Sequence, residues 1–421
     1  MRRLYTLILY LALPLVFARL TWRSLRAPAY RQRWGERLGR GPALPGRPLW
    51  IHAVSVGEVQ AAEPIVRALL ERHPELPVLI TTTTPTGCER VRLLFGDRVR
   101  HRYLPYDLPG AVARFLDAVQ PRLGLVMETE IWPNLFAATA ARGIPVILAN
   151  ARLSARSARG YRRLAGLTRD TLRCLAGIAA QSQADADRFR ALGASPDVLQ
   201  VLGNTKFDVG FPASLREQAE GLRAAWGRDR PVWVAGSTHE GEEEEILAAH
   251  RRLLQRHPDA LLVLVPRHPE RFDSVAERLQ GGGWQVARRS AQAPVTRDTQ
   301  VHLGDTMGEL PLLYAAGDLA FVGGTLVPVG GHNPLEPAAL GRPVLFGPHR
   351  FNSAEISRLL LEAGAAFEVQ DADSLAERLR VLFSDVTERN AVGERGAEVV
   401  AANRGARDRL LAWVEGLLGR A

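Results

Sequence analysis

The sequence predicts an α/β protein made of two Rossmann-like, doubly wound parallel-sheet domains facing a cleft, with an N-terminal membrane anchor. Three observations predict it. From Leu49 onward, short β-rich runs alternate with amphipathic helical stretches, the pattern of a βαβ series. The alternation breaks near Asp208 to Arg230, where Gly210, Pro212, Gly227 and Pro231 fall close together, and then restarts. Ahead of all this, Leu4 to Ala18 is apolar except for Thr6.

The N-terminal run is flanked by Arg2 and Arg3 on one side and by Arg19, Trp22, Arg23 and Arg26 on the other. As a helix at about 1.5 Å per residue it covers roughly 22 Å, short of a hydrocarbon core of about 30 Å. No convincing small-x-small cleavage site precedes the globular part, so a signal peptide fits poorly. Residues 1–26 read as a membrane anchor, shallow or marginally spanning, whose basic flank keeps the following domain on the cytoplasmic side.

Strand candidates in the first half are Leu49–Val54, Val78–Thr82, Arg122–Met127, Val146–Ala149, Ile178–Gln181 and Val198–Val201. Helical spacing fills the gaps, as in Pro109–Val119 and Asn134–Arg142. After the break, Val232–Ala235, Leu261–Val265, Trp284–Ala287, Leu319–Val322 and Pro343–Phe346 continue the series. This gives a first domain over 27–210, a linker over 211–230 and a second domain over 231–421.

A chain of 421 residues is too long for one ordinary core, and 46% apolar with 24% charged residues is the composition of a folded globular protein. Only Cys88 and Cys174 are present, which excludes a disulfide scaffold or a cysteine zinc site and fits a reducing compartment. The net charge of +9 suits an anionic membrane surface, nucleic acid or a phosphorylated substrate. Zinc-finger spacing and an RNP-like aromatic run are both missing, which argues against nucleic acid. No cluster of metal-ligand residues stands out.

Several strand-end segments carry chemistry. Glu58 follows the run Leu49–Val54 and a tight turn at Gly57. It sits where open α/β sheets hold ligands, and a partly apolar surround raises a carboxyl toward the range of a base. The same position also suits a plain helix cap. Glu128 and Glu130 follow the strand ending at Met127, and Lys206 lies in Gly203-Asn204-Thr205-Lys206-Phe207-Asp208.

In the second half, Arg267 and His268 lie just beyond Leu261–Val265, and arginine is the preferred fork for phosphate or carboxylate. Gly304 to Leu310 is a polar turn containing Met307, Gly308 and Glu309. Gly330-Gly331-His332 leads to Asn333, Pro334, Leu335 and Glu336. There Asn333 suits an N-cap, Pro334 the first helical position and Glu336 a capping box, over an anion-accepting helix start. Ser237 and Thr238 read as caps that are also placed to meet a phosphate, and the run Glu242–Glu245 as a solvated, dipole-favoured first turn.

Arg152, Arg156, Arg159 and Arg163 are spaced four, three and four apart, which puts them on one helical face with Arg162 beside them. Solvent faces normally mix signs, so this stripe points to lipid or substrate phosphates.

Taken in order, these segments resemble the 3-deoxy-D-manno-octulosonic acid (Kdo) transferases of lipopolysaccharide assembly. The resemblance spans nearly the whole chain. It rests on the anchor, Ser-Val-Gly-Glu ending at Glu58, Met-Glu-Thr-Glu-x-Trp-Pro-Asn from Met127 and Asn-Ala-Arg-Leu-Ser from Asn150. It continues through Gly-Asn-Thr-Lys-Phe-Asp from Gly203, Pro-Arg-His-Pro-Glu-Arg from Pro266 and Gly-Gly-His-Asn-Pro-Leu-Glu-Pro from Gly330.

The resemblance implies the GT-B fold, an inverting transfer of Kdo from CMP-Kdo to a lipid A precursor (lipid IVA), and the inner membrane as location. It implies Glu58 as general base, and Glu128 or its neighbour Glu130 with Lys206 as the transition-state-stabilising pair. Arg267, His268, Met307–Glu309 and Asn333–Glu336 are implied as donor contacts, without a metal or other cofactor. Two other readings share part of the pattern: a GT-B enzyme or epimerase using a UDP-sugar, and a basic, non-catalytic, membrane-associated scaffold.

Overall fold

The computed structural model of the chain describes residues 1–419. It divides into two compact units, the first Met1–Asp208 with the chain from Arg404 onward, the second Val209–Asn403.

The first unit holds a sheet of β1 (Leu49–His52), β2 (Val78–Thr82), β3 (Arg100–Tyr103), β4 (Leu123–Met127), β5 (Val146–Ala151), β6 (Gly177–Ala180) and β7 (Leu199–Val201). Their order is β3-β2-β1-β4-β5-β6-β7 and every pairing is parallel. Strands β1, β2, β4, β5 and β6 are buried at every residue, which is why they read as continuous apolar runs. Helices cover both faces, one face packing Val59, Ile65 and Leu69, the other Val112, Phe115 and Phe136. Trp50 on β1 lies over Gly124 on β4, where any Cβ would run into the indole. Its Nε1 donates to Thr81 Oγ1 at 2.8 Å.

The second unit repeats the scheme with β8 (Val232–Thr238), β9 (Leu261–Pro266), β10 (Val286–Arg288), β11 (Val301–Leu303), β12 (Leu319–Val322), β13 (Val344–Phe346) and β14 (Ala366–Glu368). The order is β10-β11-β9-β8-β12-β13-β14, again parallel throughout. In both sheets the first strand is central and the winding reverses beside it. The switch points therefore lie between β1 and β4 and between β8 and β12, the places where such sheets hold ligands beyond their carboxyl ends.

Two boundaries differ from the sequence reading. The stretch expected as a linker contains the helix Leu215–Trp226, which buries Ala219 and Trp226 in the second unit's core. The last helix, Ala406–Leu418, buries Leu410, Leu411 and Val414 against the first sheet. Asp208 fixes its start by accepting from Gly405 N at 2.6 Å and Arg407 N at 2.7 Å.

The N-terminal segment is one helix, Arg2–Arg26. It runs through its flanking arginines, so its 25 residues reach about 37 Å rather than the shorter span of the apolar run alone. One side is docked on the first unit. Tyr5 Oη donates to Asp107 at 3.0 Å, Thr6 hydrogen-bonds Asn134, Phe17 packs on Trp34, and Leu20 and Ser24 are buried. The opposite side exposes Leu4, Ile8, Leu11, Leu15, Trp22 and Leu25, a stripe at helical spacing.

Candidate active site

Glu58 lies in the first turn of the helix Val56–Arg72, directly after β1. Its Oε2 accepts a hydrogen bond from Val54 N at 2.7 Å, so the side chain folds back over the strand end. Burial pushes its carboxyl up to about 7, and the nearby Glu128 and Glu130 carboxylates add to the rise. The Val54 amide pulls the other way. A group so placed exchanges its proton near neutrality, as a general base requires.

Glu128 follows β4, on the other side of the first switch point. Its φ of 56° is left-handed, a conformation that costs a non-glycine residue energy and collects at functional turns. Its Oε1 stands 3.8 Å from Lys206 Nζ. Glu130 instead accepts from Trp132 Nε1 at 2.9 Å, and burial raises its carboxyl. The cation therefore belongs to Glu128 and the indole to Glu130.

Lys206 is held by a chain of local bonds. It sits in the turn Thr205–Phe207, where Asn204 Oδ1 accepts from Lys206 N at 3.0 Å. Thr205 N donates to Asn150 Oδ1 at 3.1 Å. Asn150 is itself left-handed, with φ 52°, and buried at the end of β5. Asn150 thus braces the turn that carries Lys206.

The arginine stripe is partly redrawn. Ser154 accepts from Ser157 N and caps a helix that begins at Ala155 and ends at Arg162. Arg152 thus lies ahead of the helix, not on its face, and its carbonyl accepts from the Thr129 hydroxyl between the two acidic residues. Arg163 occupies the C-cap. Arg156, Arg159, Arg162 and Arg163 are all exposed, so a cationic surface remains.

In the second unit, imidazoles and a guanidinium gather beyond β8, β9 and β12. His239 Nε2 and His332 Nε2 are 2.8 Å apart in rings stacked at 5.0 Å. One ring must donate and the other accept, so at least one is neutral. Burial first, then the neighbouring cationic groups, lowers His332 to about 4 and also lowers His239. His268 packs edge-on against His239 at 5.3 Å, and Arg267 N donates to Thr238 O at 3.0 Å. Half-buried imidazoles surrounded by positive charge take up protons more readily once an anion arrives. His239 had no assigned role in the sequence.

Two other expected donor segments are built differently from the sequence reading. The helix after Asn333 spans only Leu335–Ala339, with Pro334 at the N-cap, and it closes at the left-handed Gly341, whose N donates to Ala338 O at 3.0 Å while Arg342 N donates to Pro337 O at 3.0 Å. Asn333 Oδ1 accepts from Leu335 N at 3.1 Å, and Asn333 Nδ2 donates to Glu336 Oε1 at 3.4 Å, so the capping box is absent. Burial raises the Glu336 carboxyl. Glu309 forms a two-pronged pair with Arg289, at 3.2 and 2.7 Å, which lowers its carboxyl, while Met307 is exposed and Gly308 left-handed.

The glutamate run is a solvated first turn only in part, at the exposed Glu244 and Glu245. Glu242 and Glu243 are fully buried. Glu243 is gripped by Arg271 at 2.8 and 2.9 Å and by Thr238 Oγ1 at 3.0 Å, and Glu245 accepts from Ala372 N at 2.8 Å. No pattern of charges in sequence distinguishes such residues from an exposed first turn.

Residues 32–209 match the family described as 3-Deoxy-D-manno-octulosonic-acid transferase (kdotransferase). A 3-deoxy-D-manno-octulosonic acid transferase of Haemophilus influenzae is 46% identical over 423 residues, covering 100% of this chain and 99% of the relative. The chain belongs to the Kdo transferases. A second member, from Bordetella pertussis, is 41% identical over 437 residues, covering 99% of this chain and 100% of its own. Among solved structures, UDP-GlcNAc 2-epimerase from Neisseria meningitidis bound to UDP-GlcNAc superposes with TM-score 0.56 at 16% identity, covering 87% of this chain and 99% of that one. That likeness shows the GT-B fold. The reading as a non-catalytic scaffold is thereby set aside, since Kdo transferases are glycosyltransferases. Within this Kdo transferase, the acid and lysine cluster belongs to the first switch point and the histidine and arginine cluster to the second.

Proposed function

We propose that this Kdo transferase moves Kdo from CMP-Kdo to a lipid A precursor, lipid IVA, with inversion at the anomeric carbon. The observation that carries the reading is the Glu58 carboxyl, pushed up to about 7 at the first switch point. Glu58 takes the proton from the acceptor hydroxyl as its oxygen bonds to the anomeric carbon. The bond from that carbon to the phosphate oxygen breaks on the opposite face, and CMP leaves with the electron pair. One displacement with one carboxylate base gives inversion. The transition state has oxocarbenium character, which the Glu128–Lys206 pair supports by holding a fixed charge pattern at the reacting groups.

The first unit is assigned the acceptor and the second the donor. Arg267, His268 and the His239–His332 pair match the needs of a leaving phosphate, and the Met307–Glu309 turn and the Asn333–Glu336 segment suit the nucleoside and its ribose. CMP-Kdo carries a single phosphate, so side-chain cations suffice to stabilise the leaving group without a metal.

The helix Arg2–Arg26 is long and apolar enough to cross a membrane by length and composition. Its docked inner side and apolar outer stripe favour an in-plane anchor, sunk to the acyl boundary on the cytoplasmic side of the inner membrane. Arg156, Arg159 and Arg163 then meet the phosphates of the lipid acceptor and its membrane.

The reading is tested by incubating the purified protein with CMP-Kdo and lipid IVA. A product heavier by Kdo, formed without added metal and with inverted configuration, supports it. Turnover with a UDP-sugar in place of CMP-Kdo contradicts it.

A further inference from the structure

Glu242 is fully buried, yet no arginine, lysine or histidine side chain pairs with it among the described residues. Its partners are main-chain amides. Oε2 accepts from His239 N at 3.0 Å and Gly324 N at 2.6 Å, and Oε1 accepts from Thr325 N at 2.8 Å and Leu326 N at 2.9 Å. Three successive amides converging on one anion form the kind of concavity that ordinarily binds a ligand. Here the protein fills it with its own carboxylate.

The bonds continue into the loop that carries His332. Gly324 O accepts from Gly330 N at 3.1 Å and Gly331 N at 2.8 Å, and Gly323 O accepts from His332 N at 3.2 Å. The His332 ring returns to the His239 ring at 2.8 Å, and His239 N donates to Glu242. This is a closed circuit joining the loop after β8 to the loop after β12, across the second switch point. Space is tight enough that a Cβ on Gly323 would collide with the Ser237 backbone.

We propose that Glu242 is a positioning residue for the donor site, the buried anchor that fixes the loop 323–332 and with it the His239–His332 pair. The proposal rests on the reading that these loops hold CMP-Kdo. Its carboxylate touches no substrate and acts through the main chain. Glu242→Gln presents an amide NH₂ to two amide donors that need an acceptor, so the loop loses half of its anchoring.

Two measurements test the proposal on the full chain in detergent. Steady-state kinetics of Glu242→Gln should show the KM for CMP-Kdo raised about tenfold or more, with the KM for the lipid acceptor unchanged. Equal changes in both KM values, or none, would overturn the proposal. Hydrogen exchange of the unliganded wild type covers the case in which the variant does not fold. The amides of Gly324, Thr325 and Leu326 should already be protected before any nucleotide is added, and rapid exchange there would overturn the anchoring role. If these amides are protected but the wild type does not bind CMP, the anchoring stands and the assignment of these loops to the donor fails.

Discussion

Lys206 Nζ lies 3.8 Å from Glu128 Oε1, joining the turn Thr205–Phe207 to the left-handed residue at the end of β4. Both side chains are about one-third exposed, at 38% and 31%, so solvent screens the pair and its contribution to stability is small. Its strained backbone is better explained by function than by stability.

Lys206→Ala should therefore lower the transfer rate about 10²-fold or more, the usual cost of removing one preorganised electrostatic group, while leaving the melting temperature nearly unchanged. Glu128→Gln should have a similar effect, and the double variant should be little worse than either single one. Single-turnover rates check this. A large loss with Glu130→Gln and none with Glu128→Gln would exchange the roles of the two carboxylates.

Arg156→Glu with Arg159→Glu should raise the apparent KM for the lipid acceptor and leave that for CMP-Kdo unchanged. Each cation near an anionic surface is worth about 1 kcal/mol, and the effect should shrink at high salt. Kinetics on mixed micelles at two ionic strengths check both parts. No change at low salt would reduce the stripe to a solvated face.

Leu11 and Leu15 are 71% and 73% exposed on the outer side of the N-terminal helix. Leu11→Glu with Leu15→Glu should abolish flotation with anionic vesicles and preserve activity on detergent-dispersed acceptor. Their exposure makes this a cleaner test than deleting the helix, because deletion also removes buried Leu20 and the Tyr5–Asp107 bond.

Glu58 also couples stability to pH. Its folded-state value of about 7 lies above the ordinary 4.5, so between these the folded protein keeps a proton that the unfolded chain has lost. Stability therefore falls as pH rises through that window. Glu58→Gln cannot pay this penalty, so its melting temperature should exceed the wild type's by most at pH 8 and by least near pH 4. A constant difference across that range would mean that Glu58 titrates normally.

Much of the fold was legible in the sequence because central parallel strands are buried on both faces and so read as unbroken apolar runs, as at β1, β4 and β9. Strand β3 was not found, because Arg100-His101-Arg102-Tyr103 at the sheet edge forms no apolar run, even though Arg102 and Tyr103 are buried. Strands β11 and β14, of three residues each, were not found either. Of the site, Glu58, Glu128 and Lys206 were legible as polar residues just past strand ends. Glu242 and Asn150 were not, because each acts by accepting main-chain hydrogen bonds from segments remote in sequence. Arg152 was placed on the wrong element, since residue spacing alone does not reveal that Ser154 starts the helix.

The most direct test of the central claim is the pH dependence of kcat for the wild type and Glu58→Gln at saturating CMP-Kdo and acceptor. The wild-type rate should fall below a pH of about 7 as Glu58 becomes protonated. The variant should lose about 10²–10⁴-fold and show no such acidic limb, while still binding CMP. Near-normal turnover in Glu58→Gln, or an acidic limb that persists in it, would contradict the assignment of Glu58 as the base.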